Sequence, residues 1–112
     1  MEKETTLIYI TFGSTEEART IGRELVKGRL AASVNIFSDV HSIYWWEGRV
    51  QEETEAVLIA KTRKDLVPEL IEKVETMHSY ELPCILSLPI ADGHRPFLDW
   101  IKKETRKEDQ YA

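Results

Sequence analysis

The sequence predicts an α+β fold, one antiparallel sheet packed under helices. Runs rich in β-branched and aromatic residues alternate with helical patterns in the order β-α-β-β-α-β, and one more helix follows. A short Glu47-Gly48 connection joins the second and third strands, as only an antiparallel pair permits. The 112 residues contain no linker, low-complexity segment or dividing charge run, so a single domain over 1–112 is expected.

The elements follow in order. "LIYITF" (7–12) reads as the first strand. Ser14 stands as N-cap of the first helix with Glu17 three residues on, a capping-box spacing, and Ala18, Ile21, Leu25 and Val26 recur at helical intervals before a stop at Gly28. "RLAASVNIFSDVHSIYWW" (29–46) is a long extended segment, bent around Ser38-Asp39, and Gly48 supplies positive φ in the turn to a return strand ending in "EAVLIAKT" (55–62). Asp65 can cap a second helix with Pro68 in its first turn; Val67, Leu70, Ile71, Val74 and Met77 mark its buried stripe. "PCILSLPI" (83–90) is the fourth strand, and Pro89 favours an edge position. A third helix starts near Pro96, is expected to bury Phe97, Leu98 and Ile101, and ends among Lys102, Lys103, Arg106 and Lys107, cations that suit a helix C-terminus.

Two split βαβ units in this order fold as a ferredoxin-like sandwich, with the helices on one face of the sheet. The other face should then alternate apolar with polar residues. It does not: Leu7 and Tyr9 oppose Ile8, Ile10 and Phe12, Val57 and Ile59 oppose Leu58, and Trp45 opposes Tyr44 and Trp46. One tryptophan can bury on the order of 200 Å², worth roughly 5 kcal/mol as an upper bound. Several left wet would forfeit an amount comparable to a domain's whole stability of about 5–15 kcal/mol. Something outside the chain's own two core helices is expected to cover that face. A closed homo-oligomer is the favoured cover, with a ligand or a partner protein as the alternative.

Composition narrows the partners. A net charge of −5, with acids and bases intermixed, argues against a nucleic-acid or membrane-surface protein. The lone Cys84 excludes an internal disulfide or a Cys-x-x-Cys site and reads as a buried small hydrophobe. "MEKETT" has no signal-peptide core and no later run approaches a membrane span, so a cytoplasmic location is expected. Abundant Glu, Lys and Arg with scarce Gln, Asn, Cys and Met is a thermophile-like, thermostable profile.

"RLAASVNI" (29–36), "SIYWWEGRV" (42–50), the spacing from Glu55 to Lys61-Thr62, "HSYELP" (78–83) and "LDWI" (98–101) together resemble, in order, the motifs of the CutA divalent-cation tolerance family. The resemblance spans nearly the whole chain. It implies a tightly packed homotrimer with PII-like architecture, in which open sheet faces meet around a three-fold axis and long hairpins embrace neighbours. It also implies a link to copper and other divalent metals, binding or signalling rather than turnover, and, from eukaryotic relatives, an anchoring role toward a partner protein. Asn35, Tyr44, Trp45, Glu55, Lys61, His78, Tyr80 and Pro83 are the matching polar and aromatic positions, expected to converge on a ligand-binding cleft between subunits. Ser33 and Met77 depart from the pattern, standing where many relatives have Cys and some the first of two histidines. A thiolate or a His-His pair is therefore not carried over.

Read from the residues themselves, His41, His78 and His94 show no metal-ligand spacing. His78 is a helix-terminal or interfacial residue, or a divalent-metal ligand repeated around a trimer. Glu52, Glu53 and Glu55 form an acidic strand segment, ordinarily solvated or ion-paired, whose Glu53 and Glu55 share a face and could hold a hard cation. Lys61 closes an apolar run, paired with Glu55 or another subunit's carboxylate, or else facing a cleft as an anion binder. An enzyme would need His78 with Glu55 or Lys61 as acid and base in one cleft. An RNA-binding reading lacks the required motif and charge, nucleophile contexts and a phosphate loop are missing, and no cofactor is obligatory.

Overall fold

The computed structural model describes residues 2–105. Strands β1 (Thr5–Phe12), β2 (Ser33–Trp46), β3 (Arg49–Arg63) and β4 (Ile85–Pro89) form one antiparallel sheet in the order β2-β3-β1-β4. Helices α1 (Thr15–Lys27), α2 (Val67–Met77) and α3 (Arg95–Glu104) complete an α+β, ferredoxin-like fold. β4 occupies an edge, as Pro89 requires. The core lies between one sheet face and α1 and α2. Ile8, Ile10 and Phe12 of β1 and Ala56, Leu58 and Ala60 of β3 meet Ile21 and Leu25 of α1 and Leu70 and Val74 of α2. Gly22 brings α1 close enough that an added Cβ would stand 3.0 Å from Leu58 and 3.2 Å from Val34.

The ends of the helices refine the sequence reading. Ser14 caps α1 by accepting the Glu17 N–H, but the Glu17 carboxylate does not complete a capping box; it accepts from the N–H and hydroxyl of Ser79. At the other end the left-handed residue is Arg29 (φ 58), one beyond Gly28. The N–H of Leu30 reaches the Leu25 carbonyl and that of Arg29 the Val26 carbonyl, a Schellman closure with Leu25 and Leu30 both in the core. Val26 consequently leaves the buried stripe and is exposed. Asp65 does not cap α2: a 3-10 turn (Lys64–Leu66) precedes that helix, and both Asp65 oxygens are taken by Arg63 at 3.0 and 2.7 Å.

α3 packs along β3 and β1, burying Leu98 and Ile101. Phe97, expected inside, is 44% exposed and stacks on Trp100 at 5.3 Å, because burial of Leu98 and Ile101 turns it outward. Arg106 and Lys107 lie outside the described residues. Among these, no helix is long and apolar enough to cross a membrane.

β2 and β3 continue as a two-stranded arm past the rest of the sheet and give the molecule a long dimension of 45 Å. The bend expected at Ser38-Asp39 is a bulge: Phe37 pairs with Val57 but Val40 with Glu55, and Asp39 takes φ 58. At the tip Glu47 (φ 49) and Gly48 (φ 77) both adopt positive φ, as a tight I′ hairpin requires.

Candidate functional site

A cleft of about 750 Å³ opens between the arm and the loop that follows α2. It lies on the sheet face turned away from α1 and α2, because its strand residues have the opposite parity from the core. Tyr9 and Thr11 of β1, Gln51, Glu53 and Glu55 of β3, and Ser42, Tyr44 and Trp46 of β2 line it. Cross-strand pairing puts Tyr44 opposite Gln51 and Ser42 opposite Glu53, so these side chains stand together on one face. The loop supplies Ser79, Tyr80, Glu81, Leu82 and Cys84, and Trp45 contributes at the rim.

One hydrogen bond joins the two walls: the Tyr80 hydroxyl donates to Glu55 Oε2 at 2.7 Å. Burial, that bond and the charges of Glu55, Glu53 and the nearby Tyr44 raise the Tyr80 phenol well above its ordinary value. Burial, the Glu53 hydrogen bond and the charges of Glu53 and Glu55 likewise raise Tyr44. Cys84 is half-buried and part of the cleft rather than a core hydrophobe, and burial raises its thiol. The cleft thus presents neutral phenols as donors and carboxylates as acceptors.

His78 sits behind this wall and not in it. Its side chain has no exposure, and its ring stacks on Phe12 at 4.6 Å. Nδ1 accepts the Tyr80 N–H at 3.0 Å, so the ring proton belongs on Nε2, which donates to the Thr11 carbonyl at 2.7 Å. Glu17 stands 4.0 Å from Nδ1. No nitrogen lone pair is left for a metal. The expectation of a metal ligand at His78 gives way to a residue that fixes the turn and thereby aims Tyr80.

The remaining candidates separate. Lys61 donates to Asn35 Oδ1 across β2 and β3, and burial lowers its ammonium pKa. It lies six positions from Glu55 along β3, about 20 Å in an extended strand. The pairing of those two within one chain is therefore corrected, and His78 with Glu55 or Lys61 does not form an acid–base pair in one cleft of this chain, because the His78 side chain has no exposure and neither it nor Lys61 lines the cleft. Pro83 stands between two lining residues without itself lining the cleft. Of the eight expected positions the structure brings together Tyr44, Trp45, Glu55 and Tyr80. Sequence reasoning left out Trp46, Tyr9, Thr11 and Cys84 from the cleft, and placed Glu53 beside Glu55 only as a candidate hard-cation pair. Strand alternation with Tyr44 would have found Trp46.

Comparison with known proteins gives a consistent result. A profile described as CutA1 divalent ion tolerance protein matches residues 6–104. The divalent-cation tolerance protein CutA of Archaeoglobus fulgidus is 48% identical over 94 residues, which cover 84% of this chain and 91% of that protein. The solved structure of the divalent cation tolerance protein Cut A1 from Thermus thermophilus superposes with a TM-score of 0.89 at 45% identity, covering 91% of this chain and 99% of that one. That of the periplasmic divalent cation tolerance protein CutA from Archaeoglobus fulgidus gives 0.87 at 45% identity, covering 89% and 97%.

Proposed function

The chain belongs to the CutA1 divalent ion tolerance family, and from that premise we propose that it works as a homotrimeric binding or signalling protein in divalent-cation tolerance, copper included, without turnover. The observation that carries the reading is the uncovered apolar surface of the arm and of the outer sheet face. Trp45 is 74% exposed, with Ile43 at 63% and Val50 at 55% on the arm, and Phe37, Leu86 and Leu88 exposed on the sheet. A second and third copy laid against these surfaces in a closed three-fold assembly would take them out of water.

Within one chain the donors do not fit a tight copper site. Among the described residues no three His, Cys, Asp or Glu side chains converge, and His78 has no free nitrogen. Any metal contact in this reading draws on more than one copy. In it Asn35, Lys61 and Pro83 act at contacts between subunits, and Tyr44, Trp45, Glu55 and Tyr80 at the cleft.

Light scattering on the native protein tests the assembly. Three chains of 13.0 kDa give about 39 kDa, and a stable monomer at micromolar dilution overturns it. Copper titration of the assembled protein and of a monomeric arm variant tests the shared site, since equal uptake by both would place the donors in one chain. The cytoplasmic location is part of the same proposal, and cell fractionation checks it.

A further inference from the structure

We infer that His78 is a proton switch at the root of the arm. Its Nδ1 accepts the Tyr80 N–H while the ring is neutral and donates to Glu17 once the ring takes up a proton, which frees Tyr80 from the turn that aims it at Glu55.

The structure shows the neutral state. Nε2 donates to the Thr11 carbonyl at 2.7 Å, and Nδ1 accepts the Tyr80 N–H at 3.0 Å. A proton on Nδ1 sets two donors against each other at that distance, and neither can accept. The Thr11 carbonyl keeps its donor in both states, because Nε2–H is present in the neutral and the charged ring alike. The conflict therefore falls on Tyr80. Its hydroxyl donates to Glu55 at 2.7 Å, and Glu55 pairs with Val40, the first pair beyond the bulge. A shift of the Tyr80 peptide thus reaches the strand at the point where the arm leaves the body.

The surroundings already hold what a charged ring needs. Glu17 Oε2 on α1 stands 4.0 Å from Nδ1, too far for a hydrogen bond but close enough to act as counter-charge. The Ser79 N–H at 2.8 Å and the Ser79 hydroxyl at 3.0 Å hold that carboxylate in place. The Phe12 ring stacks on the imidazole at 4.6 Å and the Tyr80 ring lies 4.8 Å away, and aromatic faces attract a cation. His78 also ends α2, where the helix dipole favours positive charge. Among the described residues the titratable groups set against the ring are Glu17 from α1 and Tyr80 from the loop, with Glu55 of β3 behind the Tyr80 hydroxyl; β1 presents the Thr11 carbonyl and the Phe12 ring. The Glu17 side chain keeps 18% exposure, enough to pass a proton from water to a ring that has none. All these contacts lie within one chain. A side chain without exposure there leaves no surface for a neighbouring copy to meet, so the inference does not depend on the assembly.

Imidazole ordinarily changes charge between pH 5 and 8. The test is nuclear magnetic resonance of the native, full-length protein, labelled with nitrogen-15 at its three histidines and four tyrosines, from pH 8 to pH 5. Ring nitrogen shifts report tautomer and charge, and the Tyr80 amide reports its own hydrogen bond. The expected result is an Nε2–H tautomer at pH 8, a proton gained on Nδ1 by pH 5, and a Tyr80 amide that moves on the same curve while that of Tyr9, in the centre of the sheet, stays. Glu17→Gln keeps an acceptor for Ser79 but removes the counter-charge, so the Tyr80 transition should move toward acid by about one pH unit or more. His78→Asn keeps an acceptor oxygen near the Nδ1 position and takes up no proton, so its Tyr80 amide should not respond to pH. Glu17→Gln, at a partly exposed position, carries the test if His78→Asn fails to fold. A ring still neutral at pH 5 overturns the inference, as does a Tyr80 amide that ignores protonation of His78. A Glu17→Gln transition at the wild-type pH overturns it too, and so does movement of the Tyr9 amide on the same curve, which would report unfolding.

Discussion

The body of the sheet and the arm that grows out of it use the same two strands but meet water in opposite ways. Beneath α1 and α2, Ile8, Ile10, Phe12 and Leu58 have no exposure at all. Beyond the bulge at Ser38-Asp39 no helix among the described residues covers β2 and β3, and Ile43 and Trp45 keep 63% and 74% of their surface in solvent. Both places carry large apolar residues. What differs is whether the chain itself supplies a second layer. The body holds the stability of the single chain, and the arm holds apolar surface that the described residues leave uncovered.

The largest effect expected is in the body. Phe12→Ala empties a fully buried site and removes the ring against which His78 stacks. A loss of about 3–5 kcal/mol is expected for a large aromatic truncated in a core, read as an earlier denaturant midpoint. Trp45→Glu is the matching change in the arm. It should leave the far-ultraviolet circular dichroism of the subunit intact and lower the native mass toward 13.0 kDa. If the arm variant unfolded as Phe12→Ala does, or the core variant merely dissociated, the division between body and arm would fail.

The same division explains what was legible in the sequence. Element order, the bend at Ser38-Asp39, the Glu47-Gly48 turn and the Ser14 cap are set by nearest neighbours, so a one-dimensional reading reaches them. The Asp65 cap fails because Arg63, two positions back, claims both acceptor oxygens, and a 3-10 turn displaces the helix start. Phe97 escapes such a reading because three adjacent apolar residues, 96 to 98, leave the phase of a short helix undecided. In the site, Tyr44 and Glu55 were identifiable, but the role of His78 depends on Thr11, 67 positions away, and on a backbone N–H that no side-chain pattern advertises. Lys61 shares the strand and the parity of Glu55, and only distance along the strand separates them.

His78 supplies an intermediate prediction at the border between body and arm. Its ring holds the Thr11 carbonyl and the Tyr80 N–H, one on the body's strand and one on the wall of the cleft. His78→Ala leaves both buried partners to find water, at about 1–3 kcal/mol for each group left unsatisfied. Thermal melts should therefore shift down, by less than for Phe12→Ala. Copper isotherms of wild type and His78→Ala should coincide; a lost binding phase in the variant would restore His78 as a ligand and show that its hydrogen bonds give way to metal.

The smallest effect belongs to the far end of the body, where Glu2 ties the start of the chain to α3. Burial by itself would raise its carboxyl pKa. The Thr5 hydroxyl, the Glu4 N–H, Arg95 at 3.1 Å and the charge of Lys102 outweigh it and hold the pKa at about 2, below the ordinary 4.5. A depressed folded value means that the native state favours the ionised form. The contribution is present in full above about pH 4.5, and protonation removes it as pH falls toward 2. Glu2→Gln should thus melt lower than wild type at pH 7, and the gap should close across that acidic window. Because the group lies at the opposite end of the fold from the hairpin tip, native mass at neutral pH should not change. A gap that instead widened with acid would reverse the sign assigned to this carboxylate, and a change of mass at pH 7 would show that this end of the body is coupled to the arm.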